Sequence, residues 1–299
     1  MRVTNGMIMN TTLNGLYSNM NALNKTYAQM VTGKKIQTVS DDPIIAGRAL
    51  KLKSTVLETG QYESNTKEAM SWMEVTESSL GNMTKILTSI REKFVEAANG
   101  TLEKDDIAAL QKDVEQLWTQ LQQEANTTYG GRYVFSGYKT KEPLIKDGQL
   151  NPEVFNKIDG HAIDYEIGVN TTITVNTEGM DQVFKEMEDL FNEVFQECER
   201  PDITLNELNQ MFTEKLDDMD ALLANISEKT SDLGSRMARI EYTQERLADQ
   251  KITFKNLLSE TEDIDVEEVY TNFNVQYATY QSALQATSKI ITNTLADYL

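Results

Sequence analysis

From Met9 the apolar side chains fall at Leu13, Leu16, Met20, Leu23, Tyr27 and Met30, in alternating steps of four and three. Near the other end Val266, Tyr270, Phe273, Tyr277, Tyr280, Leu284, Thr287, Ile291, Thr294 and Tyr298 follow the same alternation. A mean spacing of about 3.5 holds one narrow stripe against a partner helix. Each end therefore predicts a helix that needs another helix beside it. Termini are usually the frayed part of a chain, so a pairing code carried to both ends points to assembly.

Between these ends the same logic predicts more helices. Asp42 before Pro43 is an N-cap followed by proline at the first helical position. The helix it opens carries Met73, Thr76, Leu80, Met83, Leu87, Ile90, Phe94 and Ala97 on one face, and Asn99 and Gly100 end it. The threonines between Thr55 and Thr66 weaken the stripe and leave room for a kink or break. A third helix is set by Ile107, Leu110, Val114, Leu117, Leu121 and Ala125, folds back on the second, and is stopped by Gly130 and Gly131. Trp72 and Trp118 are expected to pack between these two helices. Tyr133, Val134 and Phe135 then read as a strand, and Ile163, Tyr165, Ile167, Val169, Ile173 and Val175 alternate with polar residues. Helix returns near Gln182 and breaks at Pro201; Thr204 and Glu207 form a capping box for another long helix, and Asp265 and Glu268 cap the final one.

The predicted fold is mainly α with a β-rich insertion: an elongated rod of long coiled helices from both ends of the chain, plus a small central β subdomain. The expected divisions are an N-terminal assembly helix (1–40), the first half of the helical rod (41–131), the β insertion (132–180), the second half of the rod (181–262) and a C-terminal assembly helix (263–299). Outgoing and returning helices bring the two ends together.

Charge sharpens that closure. The first forty residues hold Arg2, Lys25, Lys34 and Lys35 and no acid. From Glu260 onward seven acids (Glu260, Glu262, Asp263, Asp265, Glu267, Glu268, Asp297) face Lys289 alone. The whole chain carries 28 bases against 47 acids, a net charge of -19. Such a balance repels phosphate backbones and anionic lipid, which argues against a nucleic-acid partner. No run of 18 apolar residues predicts membrane insertion, and no apolar block with a cleavage site predicts a secretory signal.

Candidate chemistry is sparse. The single histidine, His161, sits between Gly160 and Ala162 in the insertion, and the single cysteine, Cys198, reads as a small apolar helix residue. Neither a nucleophile elbow nor a phosphate-binding glycine loop is present, and the acids lack the spacing of a calcium loop. No catalytic, cofactor-binding or metal site is expected, and the chain does not read as an enzyme. A cytoplasmic coiled-coil scaffold and a secreted enzyme using a pocket near His161 are the readings from other classes.

Two segments carry a specific likeness. TGKKIQTVSDDP (32–43) resembles the signature after the first helix of bacterial flagellins, and VEEVYTNFNVQYATYQSALQATSKIITNTLADYL (266–299) is similar to their terminal helix. RVTNGMIMN, GGRYVFSGYKTKEP (130–143) and LGSRMARIEYTQERL (233–247) resemble the hook-filament junction branch of that superfamily more than filament flagellin. This resemblance implies a structural subunit of the bacterial flagellum, a short filament flagellin being the alternative. It implies self-assembly into a ring or tube, with terminal helices that order on assembly. Implied partners are the other junction protein, flagellin, an export chaperone near the C-terminal helix and the type III export apparatus. The implied location is the extracellular flagellum, reached without a cleaved signal peptide. The expected assembly interface is Leu13, Leu16, Met20, Leu23, Tyr27, Met30, Phe273, Tyr277, Tyr280, Leu284, Ile291 and Tyr298.

Overall fold

A computed structural model describes residues 5–100, 103–155, 162–200 and 203–291. The helices are α1 (Asn5–Thr32), α2 (Pro43–Ala98), α3 (Lys104–Ala125), α4 (Pro152–Phe155), α5 (Met180–Glu199), α6 (Leu205–Glu262) and α7 (Val266–Ile291). Among the described residues six short strands, β1 (Thr128–Tyr129), β2 (Arg132–Tyr133), β3 (Ile145–Lys146), β4 (Gln149–Leu150), β5 (Asp164–Gly168) and β6 (Thr171–Thr174), form three separate antiparallel hairpins. The chain is mainly helical with a small central strand-containing region. Two compact units are present: Met1–Glu58 with Gln250–Leu299, and Thr59–Asp249.

In the Thr59–Asp249 unit, the three-four stripe of α2 is the core. Met73, Leu80, Met83, Leu87, Ile90, Phe94 and Ala97 are all fully buried. Side-chain bonds set the packing direction. Ser79 reaches Glu124 while Lys93 reaches Asp113, so α3 runs antiparallel to α2. Phe94 meets Phe212 with ring centroids 5.3 Å apart, and Arg91 grips both carboxylate oxygens of Asp220, which bind α6 to α2. Trp72 is buried on Tyr129, and Trp118 packs against the core with its ring centroid 4.5 Å from that of Phe191 on α5.

The threonine-rich stretch of α2 does not break: the helix is continuous from Pro43 to Ala98. The hydroxyls of Thr55, Thr66 and Thr76 each donate to a carbonyl three or four residues back, at 3.0, 2.9 and 2.9 Å. A threonine satisfied in this way enters a seam without an orphaned donor. Capping follows the sequence at both long helices. Asp42 Oδ1 accepts from the amides of Ile44 and Ile45, and Thr204 and Glu207 bond reciprocally.

Turn chemistry alters three expectations in the β region. Helix α3 ends at Ala125, where Asn126 clamps Ile145 by bonding both its amide (3.0 Å) and its carbonyl (2.8 Å). Gly130 (φ 57°) and Gly131 (φ 77°) lie beyond that end and form the two-residue turn of the β1–β2 hairpin. Two successive positive φ values make a turn whose twist suits a hairpin. Strand β2 ends at Tyr133, with one further bond from Val134 N to Thr127 O at 3.1 Å, so Val134 and Phe135 lie outside the strand; both are buried, Phe135 against Phe184. Val169 does not continue the inward alternation. It is 74% exposed in the turn before Asn170 (φ 53°), after a register irregularity between Glu166 and Gly168.

Two side chains fasten the β5–β6 hairpin. Arg236 Nη1 donates to the carbonyls of Thr174 and Asn176, both at 2.9 Å, and Asn65 Nδ2 donates to the Glu166 carbonyl at 2.8 Å. Hydrogen bonds from a charged donor contribute about 1.5–3 kcal/mol. Replacing Arg236 with Met keeps the packed stem and removes these bonds, and is expected to speed proteolysis within 164–174. Cleavage at the parental rate would show that the latch is unimportant.

Candidate assembly surface

The loop between α1 and α2 is built residue by residue from the TGKKIQTVSDDP segment. Gly33 (φ 69°) closes α1 in the left-handed conformation, its amide donating to Gln29 O at 2.8 Å. The next residues meet the end of α6 in a short backbone clasp. Lys35 N donates to Glu262 O at 2.7 Å, and Ile264 N donates to Gly33 O at 3.0 Å. Further along, Asp41 Oδ2 accepts from the amides of Gln37 and Thr38 at 3.0 and 2.9 Å. Those amides hold the Asp41 carboxyl below the usual carboxylate range.

Charge reinforces the clasp. Lys34 Nζ lies 2.6 Å from Asp263 and 3.7 Å from Glu262, while Lys53 Nζ lies 2.7 Å from Glu262. The hydrogen bond from Lys34, with help from Ser259, holds Asp263 below its ordinary pKa. The bond to Asp263 raises Lys34 against an opposing desolvation effect, with the charges of Glu262 and Asp263 adding to the rise. The two shifts have opposite signs. The Asp263 contribution is complete above its unfolded pKa, about 3.9, and is lost as pH falls through the lower folded value. The Lys34 contribution is complete below about 10.4 and is lost as pH rises through the raised value. Both side chains are 40% exposed, so solvent screens the pair and its contribution is modest. In a Lys34→Met chain the pH dependence of the Lys35 and Ile264 amide resonances is expected to flatten at both extremes. An unchanged profile would remove Lys34 from the clasp.

Beyond the clasp α1 and α7 pair within one chain. Thr26 Oγ1 donates to Gln276 Oε1 at 2.6 Å, and the rings of Tyr27 and Phe273 lie 6.3 Å apart. Asp265 Oδ1 caps α7 by accepting from the amides of Glu267 and Glu268. The first partner of each end is therefore the other end, already helical in the single chain.

The pair buries only part of the expected stripe. Leu13, Leu16, Leu23 and Met30 of α1, and Phe273 and Tyr280 of α7, are half-buried. Met20 (41%), Tyr27 (56%), Tyr277 (47%) and Leu284 (41%) are exposed. Ile291 ends α7 with its side chain outside the described residues, and Thr294 and Tyr298 lie outside them altogether. The observed inward row of α7 is Val269, Phe273, Gln276, Tyr280, Ala283 and Thr287, of which Val269, Gln276 and Ala283 were missed. Polar Gln276 hides from a hydrophobicity reading because its burial depends on Thr26, which is itself buried.

At 100° per residue, Val266, Tyr270, Tyr277 and Leu284 fall in a second row roughly 80° round from the inward one. Met20, Tyr27 and Val31 of α1 are exposed in the same relation to its inward row. Each helix of the pair thus carries an apolar row facing its partner and another facing solvent.

Burial pushes the Cys198 thiol up to about 11, leaving it unreactive at neutral pH. Among the described residues no group of three or more His, Cys, Asp or Glu is placed to hold a metal ion, and no helix is long and apolar enough to cross a membrane. His161 lies outside the described residues.

Comparison with known proteins supplies a context for the two ends. Residues 3–140 match the bacterial flagellin N-terminal helical region, and residues 216–299 match the bacterial flagellin C-terminal helical region. Flagellar hook-associated protein 3 of Salmonella typhimurium is 26% identical over 318 residues, covering 98% of this chain and 96% of that protein. The Escherichia coli K12 protein of the same name is 38% identical over 142 residues, 47% of this chain and 45% of its own length. The crystal structure of Bacillus cereus FlgL has a similar fold, with a TM-score of 0.58 at 17% identity over 70% of this chain and 99% of that one.

Proposed function

The chain belongs to the bacterial flagellin superfamily, carrying its N-terminal helical region at 3–140 and its C-terminal one at 216–299, and on that premise we propose that it joins the flagellar hook to the filament by polymerising through α1 and α7. It is a structural flagellar protein, not an enzyme. Alignment with hook-associated protein 3 runs along nearly the whole chain, β region included, which favours a junction subunit over a filament flagellin.

The observation that carries this reading is the second apolar row on a helix pair that is already formed. Fully burying a large apolar side chain contributes roughly 1.5–3 kcal/mol. Exposed Met20, Tyr27, Tyr277 and Leu284 therefore hold stabilisation that only neighbouring subunits can release. Of the predicted α1 and α7 residues, exposed Met20, Tyr27, Tyr277 and Leu284 meet neighbouring copies while Leu13, Leu16, Leu23, Met30, Phe273 and Tyr280 hold the pair within one chain, with 1–40 and 263–299 as the assembling segments. Residues 41–131 and 181–262 form the helical halves that carry them, with 132–180 inserted between. Because α1 and α7 are already paired helices in the single chain, crowding copies add burial to the pair instead of creating it.

The neighbours in this reading are further copies of the chain in a ring or tube, the other junction protein on the hook side and flagellin on the filament side. Delivery would be unfolded, through the type III export apparatus with a chaperone on the C-terminal helix and no cleaved signal, to the extracellular flagellum. Purified chain added to isolated hooks is expected to form a thin cap that stops. Indefinite growth would make it a filament flagellin, and failure to add at all would overturn both readings.

A further inference from the structure

The clasped unit, Met1–Glu58 with Gln250–Leu299, contains a groove of about 710 Å³ between the start of α2 and the end of α6. Its apolar lining includes Ile44, Leu52, Phe254 and Leu257; Arg48 and Lys51 stand on its α2 side, and with Lys35 they outnumber the one acid in the lining, Glu260. Ile44 is 83% exposed at the rim of this groove.

The charges of this unit do not cancel inside one chain. Lys34 and Lys53 engage Glu262 and Asp263, and Asp265 caps α7. Among the described residues Arg48 and Lys51 are left without an acidic partner, and Glu267 and Glu268 without a basic one. Beside those two acids, Val266 and Tyr270 are 67% and 55% exposed, one helical turn apart on the same side of α7. A basic-rimmed apolar groove and an acidic apolar helix start thus occur on one molecule. They cannot satisfy each other there, because α7 is held along its own α1 by the Thr26–Gln276 and Tyr27–Phe273 contacts.

Resting on the assembly reading above, we infer that the groove receives the first turns of α7 from a second copy of the chain. Val266 and Tyr270 enter between α2 and α6, and Glu267 and Glu268 pair with Arg48 and Lys51. The contact is head-to-tail: groove and helix start are different patches, so each copy offers one of each. Such a contact closes into a ring or extends into a helical tube. In a chain of net charge -19 the two unpaired bases also fix the register between copies that otherwise repel.

The test uses full-length chains in which Cys198→Ser removes the native thiol. One carries Ile44→Cys and the other Tyr270→Cys; they are mixed at high concentration and oxidised gently. Disulfide dimers joining positions 44 and 270 are expected to outnumber same-site dimers. Arg48→Glu with Lys51→Glu should lower their yield at least about tenfold, because like charges across an interface cost several kcal/mol. Adding Glu267→Lys and Glu268→Lys to every chain should restore the yield. Rescue separates pairing from the loss of favourable acids at the α7 N-terminus, which no groove substitution would repair. Same-site dimers alone, no mixed dimer, indifference to charge reversal, or failure of rescue would each overturn the inference. Chains that cross-link in this way but never cap hooks would sink the functional reading and keep the groove.

Discussion

Removal of residues 266–299 is expected to abolish addition to hooks while leaving the Thr59–Asp249 unit folded. The deletion strips away α7, 26 described helical residues, and with it the partner of the half-buried row Leu13, Leu16 and Leu23 on α1. Helix α1, 28 residues long, then has no packed face, and an isolated helix of mixed polar composition is marginal in water. Circular dichroism should therefore lose more helix than the deleted residues account for. Thermal unfolding of the remaining unit should stay cooperative, because its core of Met73, Leu80, Met83, Leu87 and Phe94 lies wholly within 59–249. Hooks incubated with the truncated chain should remain bare in electron micrographs. If the truncated chain capped hooks as well as the full one, α7 would have no part in assembly.

The sequence was most legible where one periodic stripe has one partner. On α2 every apolar position named from the three-four spacing is fully buried, because a helix packed in a core uses a single continuous face. The capping signals at Asp42, Thr204 and Asp265 were equally legible, since a side-chain oxygen beside three orphan amides has few alternatives. Paired glycines were less so. Gly130 and Gly131 stop a helix or turn a hairpin with the same φ values, and the Asn126 clamp on Ile145 that settles the matter is a long-range contact. Val169 was misread because alternation assumes an unbroken strand, whereas a register shift and Asn170 turn the chain there.

At the candidate surface the stripe was read as one seam and the structure divides it in two. Position 273 packs on α1 and position 277 does not, although their spacing of four cannot distinguish them. The division comes from partners the pattern lacks: Gln276 finds Thr26, and the clasp at 33–35 and 262–264 sets the rotation of α7 from outside the helix. Complementary charge at the two ends was visible in composition. The backbone bridge that converts it into a fixed geometry was not, because any residue can form such a bridge.

Phe94→Ala is expected to destabilise the Thr59–Asp249 unit by about 3–5 kcal/mol, the range for truncating a buried aromatic. Phe94 is fully buried, sits between Ile90 and Ala97 in the α2 row, and meets Phe212 at an interplanar angle of 62°. An edge contact of that kind adds roughly 0.5–1.5 kcal/mol beyond area burial. The denaturation midpoint in urea should fall accordingly, with the slope unchanged. Met20→Ala with Leu284→Ala makes the opposing case, removing comparable apolar bulk from residues that are 41% exposed. Surface changes of this kind shift stability by about 0.5 kcal/mol or less each, so the monomer should unfold almost as the parent does while its addition to hooks falls sharply. The two experiments separate apolar groups that hold the monomer together from apolar groups kept for a neighbour. A monomer weakened by the α1 and α7 substitutions as much as by Phe94→Ala would mean that the outer row is core, leaving assembly without the surface assigned to it.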